Sequence, residues 1–164
     1  MDYSPSSESS IAGALANLTH GVYVLATRRG QETSTMTASW VAKTSDRPPC
    51  VAVAVREDRY THNLILESAT FALSVLREDQ VDVAAHFSDT SSEYNDKLRG
   101  IPYGLTPGGS PHLLDCIAYV DCRVLDTVRA GEHTLVIGEV TAGEALGGGY
   151  PLLYDPSEYE GALH

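Results

Sequence analysis

An antiparallel β-barrel with short appended helices is the fold class that the sequence predicts. Three observations point to it. Apolar and polar residues alternate with period two in several segments of strand length. Glycine-bearing turns join neighbouring segments of this kind, so hairpins dominate. Strand and helix patterns do not alternate along the chain, which argues against a doubly wound parallel sheet. With 164 residues the chain fits one domain better than two. Residues 1–10 read as a polar, disordered leader and 11–164 as the domain.

The elements follow in order. Ile11, Ala14, Leu15 and Leu18 recur at helical spacing and predict a short leading helix ended by Gly21. Val22 to Arg28 alternates as a half-buried strand, and Gly30 supplies a turn that tolerates positive φ. Thr33 to Lys43, rich in β-branched residues, predicts a second strand. Ser45-Asp46-Arg47-Pro48-Pro49 interrupts it, because two prolines cannot donate to a ladder. Cys50 to Arg56 is a third strand, Arg59 to Glu67 a short helix, and Thr70 to Leu76 a fourth strand. Asp79 to Phe87 carries Val81, Ala84 and Ala85 on one helical face. Ser88 to Gly109 predicts a long loop with at most one helical turn near Tyr94 to Leu98. Ile117 to Val128 and Thr134 to Ala145 are two long strands joined at Ala130-Gly131-Glu132, and Pro151 to Tyr154 ends the ordered pattern.

Composition excludes several function classes. Net charge is −11, the opposite of what a nucleic-acid binder shows. No apolar run approaches the ~20 residues of a membrane span. The N-terminal residues lack the basic and apolar regions of a signal peptide, so a cytoplasmic protein is expected. Cys50, Cys116 and Cys122 form no CxxC and are odd in number, so they read as small buried apolar residues rather than disulfide or zinc ligands. His20, His86, His112 and His164 show no metal-ligand spacing.

The chemistry is narrowed by absences. There is no GxGxxG after a strand, no GxxxxGK[ST], no HExxH and no GxSxG. Lys43, Arg47, Arg56 and Arg59 cluster in the middle of this acidic chain, where a small anionic ligand can be held. Thr35-Met36-Thr37-Ala38-Ser39-Trp40 is a strand with small and hydroxyl side chains. Such a segment exposes backbone amides beside a flat ligand and offers hydroxyls to its oxygens.

The order of segments is more telling than any one of them. Gly21-Val22-Tyr23-Val24 precedes Thr35 to Trp40, then Ser45-x-x-Pro48-Pro49, Tyr60-Thr61-His62-Asn63 and Phe71 to Leu76. Gln80, Phe87 and Gly131-Glu132-His133-Thr134 running into Ile137-Gly138-Glu139-Val140 complete the series. From about Leu15 to Tyr154 this resembles the flavin reductase-like family of FMN-binding split barrels.

The resemblance implies a six-stranded antiparallel split β-barrel with short flanking helices, a homodimer, and a flavin near the dimer interface. It implies that Thr35 to Trp40 lie against the isoalloxazine ring, with Ser45, Thr61 and His62 towards the ribityl chain and phosphate. A helix N-terminus near Thr61 suits an anion, and Arg56 and Arg59 stand just ahead of it. Lys97, one of two lysines, reads either as a phosphate partner or as surface. Phe87 reads as core or as a ring contact. His133 matches the His of the family's Gly-Asp-His element, here with Glu132 in place of Asp, near flavin and nicotinamide.

The implied reaction is hydride transfer from NAD(P)H to FMN, or to FAD, without a catalytic acid–base pair. Reduced flavin would then supply a partner monooxygenase. Three other readings stay open: an FMN-containing electron carrier, a repurposed flavin-dependent barrel acting on a small-molecule biosynthetic intermediate, and a non-enzymatic flavin-binding module.

Overall fold

The structure, a computed structural model, describes residues 6–90 and 95–158. Met1 to Pro5 of the expected leader, and Tyr94 of the expected helical turn, lie outside the described residues. Helix α1 spans Glu8–Leu15, earlier than the apolar spacing suggests, because the Ser7 hydroxyl caps its N-terminus by accepting from the Ser10 amide at 3.2 Å. Residues 8–10 are therefore helical rather than part of a disordered leader.

Strands β1 (Tyr23–Arg29), β2 (Glu32–Ala38), β3 (Val41–Asp46) and β4 (Pro49–Arg56) follow, then helix α2 (Tyr60–Ser68) and strand β5 (Thr70–Val75). Helix α3 (Val81–Ser88), a 3-10 turn (Asn95–Leu98) and the hairpin β6 (Tyr103–Leu105) with β7 (Pro111–Leu113) come next. Two long strands, β8 (Ala118–Ala130) and β9 (His133–Ala145), close the series. Among the described residues no helix is long and apolar enough to cross a membrane.

Seven strands form one antiparallel sheet in the order β2-β1-β5-β8-β9-β4-β3. The count exceeds the expected six because the strand read across Thr33 to Lys43 breaks at Ser39-Trp40. The break is tertiary in origin: the Trp40 carbonyl accepts from the Ala54 amide at 3.0 Å, which swings the chain from the β1 side of the sheet to the β4 side. β2 and β3 are thus the two end strands, consecutive in sequence and not paired with each other, so the ladder is open. Of the two prolines, Pro48 lies in the turn and only Pro49 joins the sheet. Pro49 starts β4, opposite Asp46 in a tight β3–β4 connection.

Both two-residue turns expected from glycine are present. Gly30 (φ 61°) and Gly131 (φ 62°) are the first loop residues of the β1–β2 and β8–β9 hairpins, where the twist requires positive φ. β1, expected to be half-buried, is covered on both faces. Val24 packs with Ala84 and Phe87 under α3, while Leu25 packs with Val53, Ile65, Phe71 and Val136 on the other face. The three cysteines are buried and free, and burial, with Asp121 and Cys50 adding, pushes the Cys122 thiol up to about 12. That fits small core residues rather than reactive thiols.

The β6–β7 hairpin lies inside the stretch expected to be loop. Its strands are too short to show alternation, and a buried carboxylate organises the turn. Asp121 accepts from the Thr106 hydroxyl at 2.8 Å and from the Gly108 amide at 2.7 Å.

Candidate functional site

The break at Ser39-Trp40 creates the site. Trp40 is tied to Ala54 on β4, and two residues further along that strand Arg56 stands directly across from His133 on β9. The ends of β2 and β4, the start of β9 and the N-terminus of α2 therefore meet in one narrow cleft. Met36, Ala38 and Ala54 give it apolar floor, Ser39 and Trp40 one wall, and Arg56, Arg59 and His133 the other. The Trp40 and His133 rings lie 4.8 Å apart, tilted by 46°.

Charge in the cleft is uneven. Arg56 binds Asp58 through two contacts, Nε to Oδ1 at 3.1 Å and a terminal nitrogen to Oδ2 at 2.8 Å. Arg59 is buried and occupies the N-cap position of α2, where its side chain makes no capping hydrogen bond. A helix N-terminus beside a guanidinium favours an anion. Burial lowers the His133 pKa below the ordinary value; Glu132 and Asp58 oppose that shift and Arg56 adds to it.

Several residues expected at the ligand stand elsewhere. Ser45 pairs with Cys50 near the far end of the β3–β4 hairpin. It lies six residues along β4 from the Arg56 level, about 20 Å at the rise of a strand. Thr61 is buried and its hydroxyl meets that of Ser34 at 2.7 Å, so it joins α2 to β2. His62 spends both ring nitrogens internally, Nε2 on the Thr134 hydroxyl at 2.8 Å and Nδ1 on Asn63 Oδ1 at 3.1 Å. It stands behind the cleft, bracing the residue next to His133.

The opposite face of β2 is also inward. Thr37 donates to the Ala84 carbonyl at 2.6 Å, fastening the strand to α3. Thr35 is buried with no hydrogen-bond partner on its hydroxyl, while its carbonyl accepts from the Lys97 ammonium at 3.3 Å. Lys97 also donates to the Phe87 carbonyl at 3.2 Å and is 3% exposed, so it is neither surface nor in the cleft but a tie beneath β2. Phe87 is fully buried in the core with Val24 and Leu76 and presents no ring face to a ligand.

Sequence reasoning missed Ala54 and the placement of His20, whose ring lies 6.5 Å from Trp40 on the side away from the cleft. Ala54 had a signal of a kind, a small residue between Val53 and Val55 in an otherwise bulky strand.

Comparison with known proteins gives consistent results. The family described as "Flavin reductase like domain" matches residues 15–163. The high molecular weight rubredoxin of Moorella thermoacetica is 35% identical over 143 residues, which cover 86% of this chain and 62% of that protein. The chain therefore spans less than two thirds of that relative's length. Among solved structures, the NADH:FAD oxidoreductase of Streptomyces globisporus in complex with NAD and FAD fragments is 27% identical with a TM-score of 0.83, covering 93% of this chain and 90% of that one. A nitrilotriacetate monooxygenase component B homologue from Mycobacterium thermoresistibile is 26% identical with a TM-score of 0.80, covering 90% of this chain and 82% of that one.

Proposed function

Because the chain belongs to the flavin reductase-like family, we propose that it transfers hydride from NADH or NADPH to FMN or FAD, and that the cleft at Trp40 is where this happens. The observation that carries the reading is the convergence of Met36, Ala38 and Trp40 with Arg56, Arg59 and His133, drawn from three distant parts of the chain. The donor set fits a flavin: a flat apolar floor for the ring, and a guanidinium at a helix N-terminus for the phosphate.

When bound, the flavin supplies the hydride-accepting chemistry. The chain's own part is to bind, orient and exclude water. β2 is an end strand, so the backbone groups of its outer edge, other than the Thr35 carbonyl held by Lys97, have no strand neighbour and would hold the ring's polar edge. Trp40 walls the cleft and holds the His133 ring at a fixed tilt. His133, its basicity lowered by burial, adds no positive charge against a nicotinamide ring that becomes cationic as it gives up hydride. No acid or base is needed at the transferred atom.

Anaerobic mixing with NADH and then NADPH tests the reading. The flavin absorbance of the loaded protein is expected to bleach with at least one of them. Tight FMN binding without bleaching by either would favour an electron carrier instead, a role consistent with the longer rubredoxin relative.

Three finer statements belong to the same proposal. The open sheet, curled so that the end of β2 meets β4 and β9 at one cleft, is a split barrel. The cleft holds only about 10 Å³ of space open to water, far below the ~300–1,000 Å³ typical of sites that enclose a small molecule, so a second copy completes it in a homodimer. Light scattering should give twice the 17.6 kDa of the chain, and a single-chain mass at micromolar concentration would count against that. Reduced flavin is then passed to a monooxygenase partner in the cytoplasm, where pyridine nucleotides are held reduced.

A further inference from the structure

The Trp40 indole is the largest ring in the cleft wall, and the backbone under it belongs to no strand, because Trp40 stands at the break between β2 and β3. The residue is 37% exposed. A ring so placed keeps one posture where neighbours fix both of its sides. His133 does so from the cleft, with ring centroids 4.8 Å apart. His20 does so from the other side, at 6.5 Å and 51°, within the range at which aromatic rings attract one another. Trp40 thus stands between two imidazoles, of which His133 lines the cleft and His20 does not.

His20 is itself a half-buried loop residue between α1 and β1. Such a residue can position another only if its own backbone is fixed. The fixing comes from the far end of the chain. The Tyr154 amide donates to the His20 carbonyl at 2.8 Å, and the Val22 amide donates to the Leu152 carbonyl at 3.0 Å. The Leu152 amide donates to the Leu76 carbonyl at 2.9 Å, and the Leu76 amide to the Val22 carbonyl at 3.2 Å. Val22, Leu76 and Leu152 therefore close a ring of three hydrogen bonds, and Gly21 bridges Leu153 beside it.

Side chains fix the same segment. Leu152 is buried in the core with Val22, Leu76 and Phe87. Gly149 opens the segment at φ 119°, and a Cβ there would fall 2.7 Å from the Arg77 side chain, so the entry calls for glycine. Leu152 anchors the segment in the core. The Tyr154 bond, two residues on, acts on the residue whose ring meets Trp40.

We propose that His20 is a positioning residue of the cleft: held by the segment 150–154, its ring backs the Trp40 indole and fixes the wall against which the flavin ring rests. The segment thereby serves the site although none of its residues lines the cleft. What the cleft holds rests on the flavin reading; the backing of Trp40 does not.

Time-resolved fluorescence anisotropy of the full chain reads the indole directly, since Trp40 is its single tryptophan. In the wild type the decay is expected to follow tumbling of the whole protein, with little faster motion of the ring. His20→Ala should increase the amplitude of the fast component by at least about twofold. It should also weaken FMN and riboflavin to the same degree, roughly 3- to 10-fold, the affinity equivalent of one aromatic pair. His20→Phe restores a ring and should bring both readings back to within about twofold of wild type. Tyr154→Pro deletes the amide that holds His20, whereas Tyr154→Ala keeps it; the proline variant should free the indole more than the alanine variant does. A purely structural role for His20 predicts a lower thermal midpoint with unchanged anisotropy, and that result overturns the proposal. So do failure of His20→Phe to recover, equal anisotropy in the two Tyr154 variants, or a loss confined to FMN. If neither flavin quenches Trp40 in the wild type, the flavin reading falls, and the anisotropy comparison still decides the role of His20.

Discussion

Replacing Arg59 by glutamine is expected to weaken FMN binding roughly 10- to 150-fold while leaving riboflavin nearly unchanged. The range follows from a charge-assisted hydrogen bond, about 1.5–3 kcal/mol, converted to affinity. Arg59 is singled out by its position. Lys97 is bonded to two carbonyls beneath β2. Arg59 lies in the cleft wall at the N-cap of α2, where the helix adds its own positive end to the guanidinium. A net charge of −11 repels a phosphate at long range, so this local field must carry the affinity.

Riboflavin separates the possible outcomes. It keeps the ring and lacks the phosphate. Equal loss for both flavins would mean that Arg59 shapes the ring site or the fold, and the phosphate placement would fail. No loss for either would move the anion site elsewhere. Lys97→Ala provides the contrast: because its ammonium ties the 3-10 turn to β2, it should lower thermal stability and affect the two flavins alike.

Legibility of the fold tracked how local its determinants are. The β1–β2 and β8–β9 hairpins could be read from sequence because alternation and a glycine at the turn agree. The break at Ser39-Trp40 could not, since neither residue disfavours a strand and its cause is a hydrogen bond to Ala54, fourteen positions on. The β6–β7 hairpin was hidden because its turn depends on Asp121, a residue of another strand.

The site was legible in the same uneven way. Met36, Ala38, Ser39, Trp40, Arg56, Arg59 and His133, all expected near the ligand, do converge. Thr61, His62 and Thr37 do not face the cleft, because a hydroxyl or imidazole looks the same in sequence whether it serves a ligand or an internal partner. Here Ser34, Thr134 and the Ala84 carbonyl take them. Ser45 was misplaced because the break re-aims everything after it, and β3 runs away from the cleft rather than along it.

Phe71→Ala is expected to destabilise the chain by about 3–5 kcal/mol, the cost of truncating a buried phenylalanine where the surroundings cannot collapse. Phe71 is fully buried, opposite Cys122 on β8, and its ring continues across to β9. There it lies over Gly138, where an added Cβ would come within 2.7 Å of the ring. One side chain thus spans β5, β8 and β9, and the glycine is the socket that receives it. Strands fixed by backbone ladders cannot close in to fill the void, so relaxation is limited. Gly138→Ala should be destabilising by about 1–3 kcal/mol through overpacking. The paired substitution Phe71→Leu with Gly138→Ala should cost less than the two separate losses added, since the methyl enters space the ring has left. Urea unfolding of the wild type, Phe71→Ala, Phe71→Leu, Gly138→Ala and the paired variant measures each quantity. β9 also presents His133 and pairs with the β4 segment that carries Arg56, so Phe71→Ala should loosen flavin binding in step with stability. Costs near zero for Phe71→Ala, or strictly additive losses in the pair, would show that the ring and the glycine are not coupled.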